Sequence, residues 1–298
     1  MRGYLGSSCG LPIFMFLCYD VLMILLDGRK LAQKIIADIK EEIGGMNRHL
    51  RLAVVVVGKD PVVQKFIAQK RKIAEQIGID FRIYPFEEIV PARDLRMRVA
   101  EIVHEKKNTG VIIQLPLPPH IGKQHMLNAI IPQKDVDVLS ARSIGNVIVG
   151  ISPIISPVAS AIKTLFGEYK IDYASKRIVI MGAGALVGKP VALWLLREKI
   201  GYSIVTEETP NAAELLMQAD IVISGIGKLA CITGVMLTQG VIAVDAGTSE
   251  SNGKLAGDFD SDSVIQKASF FAPVPGGVGP VTVAMLFKNL VELGKRQK

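Results

Sequence analysis

Ile178-Val-Ile-Met-Gly-Ala-Gly-Ala-Leu-Val-Gly-Lys-Pro190 is a β-branched run that stops at a glycine turn and opens into a helical pattern from Val191 to Lys199. Strand, glycine loop and helix in that order predict one half of a nucleotide-binding α/β unit. Gly182 and Gly184 allow a tight turn and close approach of backbone to a pyrophosphate, Gly188 lets helix pack on strand, and the helix N-terminus faces the negative charge. Ala183 and Val187 complete the loop as candidate cofactor contacts. The spacing, Gly-x-Gly-x-x-x-Gly, is one residue longer than the common fingerprint, and an ordinary strand-to-helix turn shares it.

The flanking sequence supplies the rest of such a unit. Downstream lie a strand at Ser203 to Thr206, a helix near Ala212 to Gln218, and buried strands at Ile221 to Ser224 and Val241 to Val244. These short α/β repeats predict a Rossmann-like domain. Upstream, helical periodicity from Leu31 to Ile43 ends at Gly44-Gly45, and Leu52-Ala-Val-Val-Val-Val57 reads as a buried strand closed by Gly58-Lys-Asp-Pro61. A helix from Val62 to Ile77, a strand at Phe81 to Tyr84, a helix from Leu95 to Glu105 and a strand at Gly110 to Ile113 continue the alternation that makes a parallel sheet. Residues 151–157 read as a linker into a helix at Val158 to Leu165. Phe270 to Thr282 holds a strand, a rigid glycine-proline loop, and Pro280 placed for the first turn of a final helix that returns to the first domain.

The expected architecture is therefore α/β, with a catalytic α/β domain, a Rossmann-like nucleotide-binding domain and a cleft between them. The first domain is discontinuous, residues 23–139 plus 273–298, and the second spans 140–272. Residues 1–22 read as an upstream extension: Arg2 precedes the apolar run Leu11 to Tyr19, but no small-residue cleavage site follows, Asp20 interrupts it, and the run is too short to span a bilayer.

Composition narrows the classes further. The 298 residues, 49% hydrophobic and 21% charged, suit a well-packed globular protein. The net charge of +7 is dispersed and has no aromatic-interleaved basic motif, so an anionic small molecule explains it better than nucleic acid. Cys9, Cys18 and Cys231 lack zinc or redox spacing, so no metal site is expected and a reducing, cytoplasmic setting is the plain reading.

Three polar positions stand out against this frame. Lys70 and Phe66, one helical turn apart, project from the same face of the second helix. A lysine in a charged run such as Gln69-Lys-Arg-Lys72 is ordinarily a solvated surface residue, and spacing alone leaves it so. Gln114 stands at the carboxyl end of a buried strand, where open α/β sheets place their ligands. In Lys134-Asp-Val-Asp137 the two aspartates flank one valine, so one can face a cleft while the other caps a turn or meets solvent.

Taken together, Lys70 in its helix, Gln114-Leu-Pro-Leu-Pro118, Lys134-Asp-Val-Asp137, the Gly182 to Pro190 loop and Pro273-Val-Pro-Gly-Gly-Val-Gly-Pro280 resemble the bifunctional methylenetetrahydrofolate dehydrogenase/cyclohydrolase family, from Met23 to about Leu293. The resemblance implies a homodimer with NAD(P) on the second domain and folate on the first. It makes Lys70 the catalytic lysine, Gln114 its neighbour and Asp137 the aspartate that holds the pterin ring. It places Phe66, Leu115, Pro275, Gly276 and Gly277 around the folate. Gly182, Ala183, Gly184, Val187, Gly188, Glu207, Gly227 and Thr248 fall at the cofactor.

Several positions depart from the family pattern. Phe66 replaces a tyrosine, Val63 a serine, Val138 the glycine after the second aspartate, Ala159 a glycine, and Gly184 the serine of the phosphate loop. The missing hydroxyls bear on rate and on one of the two activities. NADP is what most such proteins use, yet Ala183 carries no charge and the second strand of the nucleotide domain ends in Glu207-Glu208, which suits the free ribose hydroxyls of NAD and repels a 2′-phosphate. Lys189 and Lys228 are the cations within reach of such a phosphate. Two rival readings stay open: another Rossmann oxidoreductase, and a non-catalytic or single-activity folate-binding paralogue.

Overall fold

The computed structural model describes residues 23–251 and 254–297, so the 1–22 extension, with Cys9 and Cys18, lies outside the described residues. The smaller sheet is built from β2 (Arg51–Val57), β3 (Asp80–Phe86) and β4 (Gly110–Ile113), parallel and in the order β3-β2-β4. β2 is central, and its period-two alternation feeds two cores. Leu52, Val54 and Val56 point into one, and Ala53, Val55 and Val57 into the other. A strand buried on both faces needs no polar side, which is why it reads as a continuous apolar run.

The helices of this half carry clear stop and start signals. α1 (Gly28–Gly44) begins at Asp27, whose carboxylate accepts from the amides of Arg29 and Lys30, both at 3.0 Å. α2 (Pro61–Ile77) is capped by Asp60, has Pro61 in its first turn, and ends at Gly78 in the left-handed region. α3 (Ala92–His104) precedes β4; short α4 (Lys123–Leu127) and α5 (Ala141–Ile148) follow it.

The larger sheet has six parallel strands in the order β1-β11-β8-β7-β5-β6: β1 (Ile24–Leu25), β5 (Ile178–Met181), β6 (Tyr202–Val205), β7 (Ile221–Ser224), β8 (Val241–Asp245) and β11 (Ala268–Ala272). α6 (Pro157–Glu168), α7 (Gly188–Arg197) and α8 (Ala212–Gln218) connect and cover it, β9 (Ser249–Ser251) and β10 (Lys254–Ala256) form a hairpin, and α9 (Ser261–Ile265) leads to β11. β6 ends one residue before Thr206, because the Thr206 amide donates to Thr209 Oγ1 at 2.8 Å and turns the chain. α7 starts at Gly188 rather than Val191, since Pro190 is tolerated in a first turn. β1 is a difference from the sequence expectation: residues 24–25, placed in the first domain, pair with Phe270 and Phe271 of the larger sheet.

The final helix, α10 (Val278–Arg296), joins the two halves. It packs on α1, touches β4, and also packs on α6. Buried Asn289 on this helix donates from Nδ2 to the carbonyls of Val136 and Ile155, both at 2.9 Å. One side chain thus ties the second aspartate's segment to the chain entering α6.

Candidate active site

Capping by Asp60 fixes the register of α2, so that Val63 and Ile67 enter the core while Phe66 and Lys70 lie half-buried one step round the helix. Lys70 Nζ donates to Gln114 Oε1 at 2.7 Å. Gln114 is held by its own backbone amide, which donates to Val55 O at 2.9 Å, and by Nε2, which donates to Leu115 O at 2.9 Å. With the nitrogen committed to Leu115, the amide oxygen is the atom left for the lysine. The peptide bonds Leu115–Pro116 and Val274–Pro275 are cis.

The two aspartates take different roles. Asp135 is buried and accepts from the amides of Leu139 at 3.3 Å and Ser140 at 2.9 Å, so it closes the turn into α5. Asp137 is half-buried and near enough to Lys70 to feel its charge. Cleft walls that strip its solvent push the Asp137 carboxyl up to about 6, although it keeps some exposed surface; Lys70 pulls the other way and Asp135 adds to the rise. Burial likewise lowers Lys70 below the ordinary lysine range, and the charge of Asp137 partly restores it. The two feel each other's charge without ion-pair contact, each poised nearer neutrality than in water.

Phe66 offers no hydroxyl to this cluster, and Val63 is buried with its methyls in the core. Val138 has φ +59, a left-handed conformation that a β-branched residue rarely adopts. Glycine at this position in the family pattern would hold the same backbone without strain. Ala159 is fully buried at the start of α6.

The glycines of the loop before α10 form a separate cluster. Gly276 has φ +116 and lies against the Arg29 side chain, the Gly277 amide donates to Pro273 O at 2.8 Å, and a Cβ on Gly28 would strike the Gly277 carbonyl. This Pro275-Gly276-Gly277 loop is thus anchored on the first turn of α1. Among the described residues no hydrogen bond joins it to Lys70. Leu115 does reach the other half: it shares one cavity with Val138, Ile155, Leu186 and Lys189, so the cleft runs from beside Gln114 to the glycine loop.

The glycine loop fits a dinucleotide. Gly182 has φ +92, a Cβ on Gly188 would strike the Gly182 carbonyl, and no side chain caps the first turn of α7, which leaves its N-terminus to an anion. Ala183 and Gly184 are exposed, as a loop that meets phosphate must be. Gly225, after β7, packs so closely on Val187 that it too has no room for a Cβ. Gly227, at φ +78, lies beside the Thr248 carbonyl, and Lys228 pairs with Glu207 at the end of β6. Sequence reading missed Asp245 and Asp258, fully buried acids beneath this crevice. Their signal was an aspartate beside a glycine at a strand end, Asp245-Ala-Gly247 and Gly257-Asp258. Among the described residues no cluster of His, Cys, Asp and Glu could hold a metal.

A six-stranded parallel sheet with a glycine loop after β5, next to its β6 edge, together with a lysine-glutamine-aspartate cluster on the other half, defines a two-domain nucleotide-dependent enzyme. Residues 26–137 match the tetrahydrofolate dehydrogenase/cyclohydrolase catalytic domain, and residues 156–298 match that family's NAD(P)-binding domain. The chain is 36% identical over 276 residues to the bifunctional protein FolD of Moorella thermoacetica, covering 91% of this chain and 99% of that one. The crystal structure of the Campylobacter jejuni bifunctional enzyme FolD superimposes with a TM-score of 0.87 at 34% identity, covering 92% and 99% of the two chains. The Trypanosoma brucei enzyme, solved with NADP and an inhibitor, gives 0.87 at 31% identity over 92% and 98%. The chain belongs to the tetrahydrofolate dehydrogenase/cyclohydrolase family. It is a bifunctional methylenetetrahydrofolate dehydrogenase and methenyltetrahydrofolate cyclohydrolase of one-carbon metabolism.

Proposed function

We propose that Lys70, Gln114 and Asp137 carry both reactions in one cleft, with residues 23–139 and 273–298 as the folate domain and 140–272 as the cofactor domain. The observation that carries this reading is the 2.7 Å contact from Lys70 to Gln114, whose chain neighbour Leu115 lines a cavity that reaches Leu186 and Lys189 of the glycine loop. Bound NAD(P) supplies the hydride acceptor. The Asp137 carboxylate accepts N–H donors from the pterin edge, and Phe66, Leu115, Pro275, Gly276 and Gly277 enclose the ring. After oxidation, Lys70, aimed by Gln114, takes a proton from the water that attacks the methenyl carbon. A lysine with lowered pKa suits that step because a larger fraction is neutral near pH 7.

For the cofactor we propose NAD over NADP. Ala183 and Gly184 bring no cation to the loop, and the strand end carries Glu207. Of the two cations within reach of a 2′-phosphate, Lys189 and Lys228, the second is engaged by Glu207. The test is kcat/KM for both cofactors, with methylenetetrahydrofolate as substrate and absorbance as the readout. NAD should be preferred, and Glu207→Gln should shift the ratio toward NADP by about twofold to fivefold, the worth of one charge repulsion at a solvent-screened site. A clear NADP preference in the wild type would show that Glu207 points away from the adenosine ribose. We further propose a homodimer in the cytoplasm, on the resemblance and on Cys231 being a free thiol; no helix among the described residues is long and apolar enough to cross a membrane. Light scattering would report the dimer directly.

A further inference from the structure

Asp258 is fully buried outside the Lys70 cleft, yet it accepts four hydrogen bonds from a single loop. Ser224 Oγ at 2.6 Å and the Ile226 amide at 2.8 Å donate to Oδ2, while the amides of Gly227 and Lys228, both at 2.9 Å, donate to Oδ1. A carboxylate has about four acceptor sites, so this loop fills it. Successive amides around a left-handed Gly227 make an anion-binding concavity, and here the anion is the protein's own.

The same loop has a second face. Gly225 lies against Val187, and the missing Cβ of Gly182 would sit 3.2 Å from the Gly225 carbonyl, so the loop rests directly on the glycine turn. Below it, a Cβ on Gly247 would strike the Asp258 carboxylate, and one on Gly257 would strike Asp245. Asp245 in turn accepts from the amides of Gly247 and Phe259, both at 3.1 Å, which fixes the segment that carries Asp258. There is no slack in this stack.

We propose that Asp258 is a positioning residue for the cofactor: its carboxylate holds residues 225–228 at a fixed height against the glycine loop and so sets dinucleotide affinity without touching the dinucleotide. This rests on the reading that Gly182 to Gly188 and Gly227 form the cofactor crevice. An asparagine at 258 would keep one acceptor oxygen and turn a donor NH2 toward backbone N–H groups, so the loop would have to move.

The experiment is titration of wild type, Asp258→Asn and Ser224→Ala with NADH and NADPH by cofactor fluorescence, alongside hydrolysis of methenyltetrahydrofolate, which consumes no cofactor. Asp258→Asn should raise the Kd of the bound cofactor about tenfold or more, the worth of a lost hydrogen bond to a charged group. KM for that cofactor should rise in parallel while hydrolysis, run in the other domain, persists. Ser224→Ala removes one donor and should move Kd the same way by a smaller factor; it decides the matter if Asp258→Asn does not fold. Unchanged Kd in either folded variant, or parallel loss of hydrolysis and cofactor binding, overturns the proposal. Wild-type protein that binds neither cofactor overturns the crevice reading, and the proposal with it.

Discussion

Phe66 sits one turn before Lys70 where the family pattern carries a phenol, and Lys70 makes its hydrogen bond to Gln114 alone. A hydroxyl there would give the ammonium group a second partner worth about 1–2 kcal/mol. Phe66→Tyr should therefore raise the hydrolysis rate by about fivefold to thirtyfold and change hydride transfer less. A variant no faster than the wild type would mean that another group already orients the lysine. Asp137 gives a second test, through pH. Its carboxyl titrates at about 6 rather than 3.8, so the ionised fraction falls about fourfold between pH 7.5 and 5.5. Loss of the ionised form removes an acceptor for the pterin, so folate KM should rise by about that factor on acidification, with Asp137→Asn showing no such slope. A flat wild-type profile would assign the pterin contact elsewhere. At this scale the sequence was legible for type and not for role: Lys70 reads as a solvated cation on spacing, whereas the fold leaves it half-buried and bonded to Gln114, 44 positions away.

Among the elements, the segment after β4 stores a conflict between backbone and side chain. Val138 is left-handed, which costs a β-branched residue about 1–2 kcal/mol, yet its side chain is buried, which offsets about as much. Alanine would keep the strain and lose the burial, whereas glycine would lose both. Val138→Gly should thus be about 1 kcal/mol more stable than Val138→Ala by denaturant unfolding, the reverse of the usual order. The usual order, alanine above glycine, would deny the strain. Most elements were visible beforehand because β-branched runs, Asp caps and Gly stops are local signals: Asp60-Pro61 starts α2 and Gly78 ends it. β1 was not, since two residues carry no periodicity and its pairing with Phe270 and Phe271 is set by chain return. Strand ends slipped by a residue where a side chain such as Thr209 capped the next amide.

Across the whole molecule, the two halves meet through α10, with Asn289 bonded to Val136 beside Asp137 and to Ile155 at the entry to α6. That link explains how a cleft between two sheets keeps its geometry, and its partners, more than a hundred positions apart in sequence, were not readable from local pattern. The α/β class and the glycine loop were readable, because both follow from short-range alternation; the bifunctional site was readable only through the set of separated motifs taken together. The direct trial of the account is Lys70→Met, assayed for methenyltetrahydrofolate hydrolysis, with binding of the reduced cofactor measured on the same preparation. Methionine keeps the apolar stem and removes the amine. Hydrolysis should be abolished while cofactor affinity is unchanged; a variant that hydrolyses as fast as the wild type would contradict the role given to Lys70.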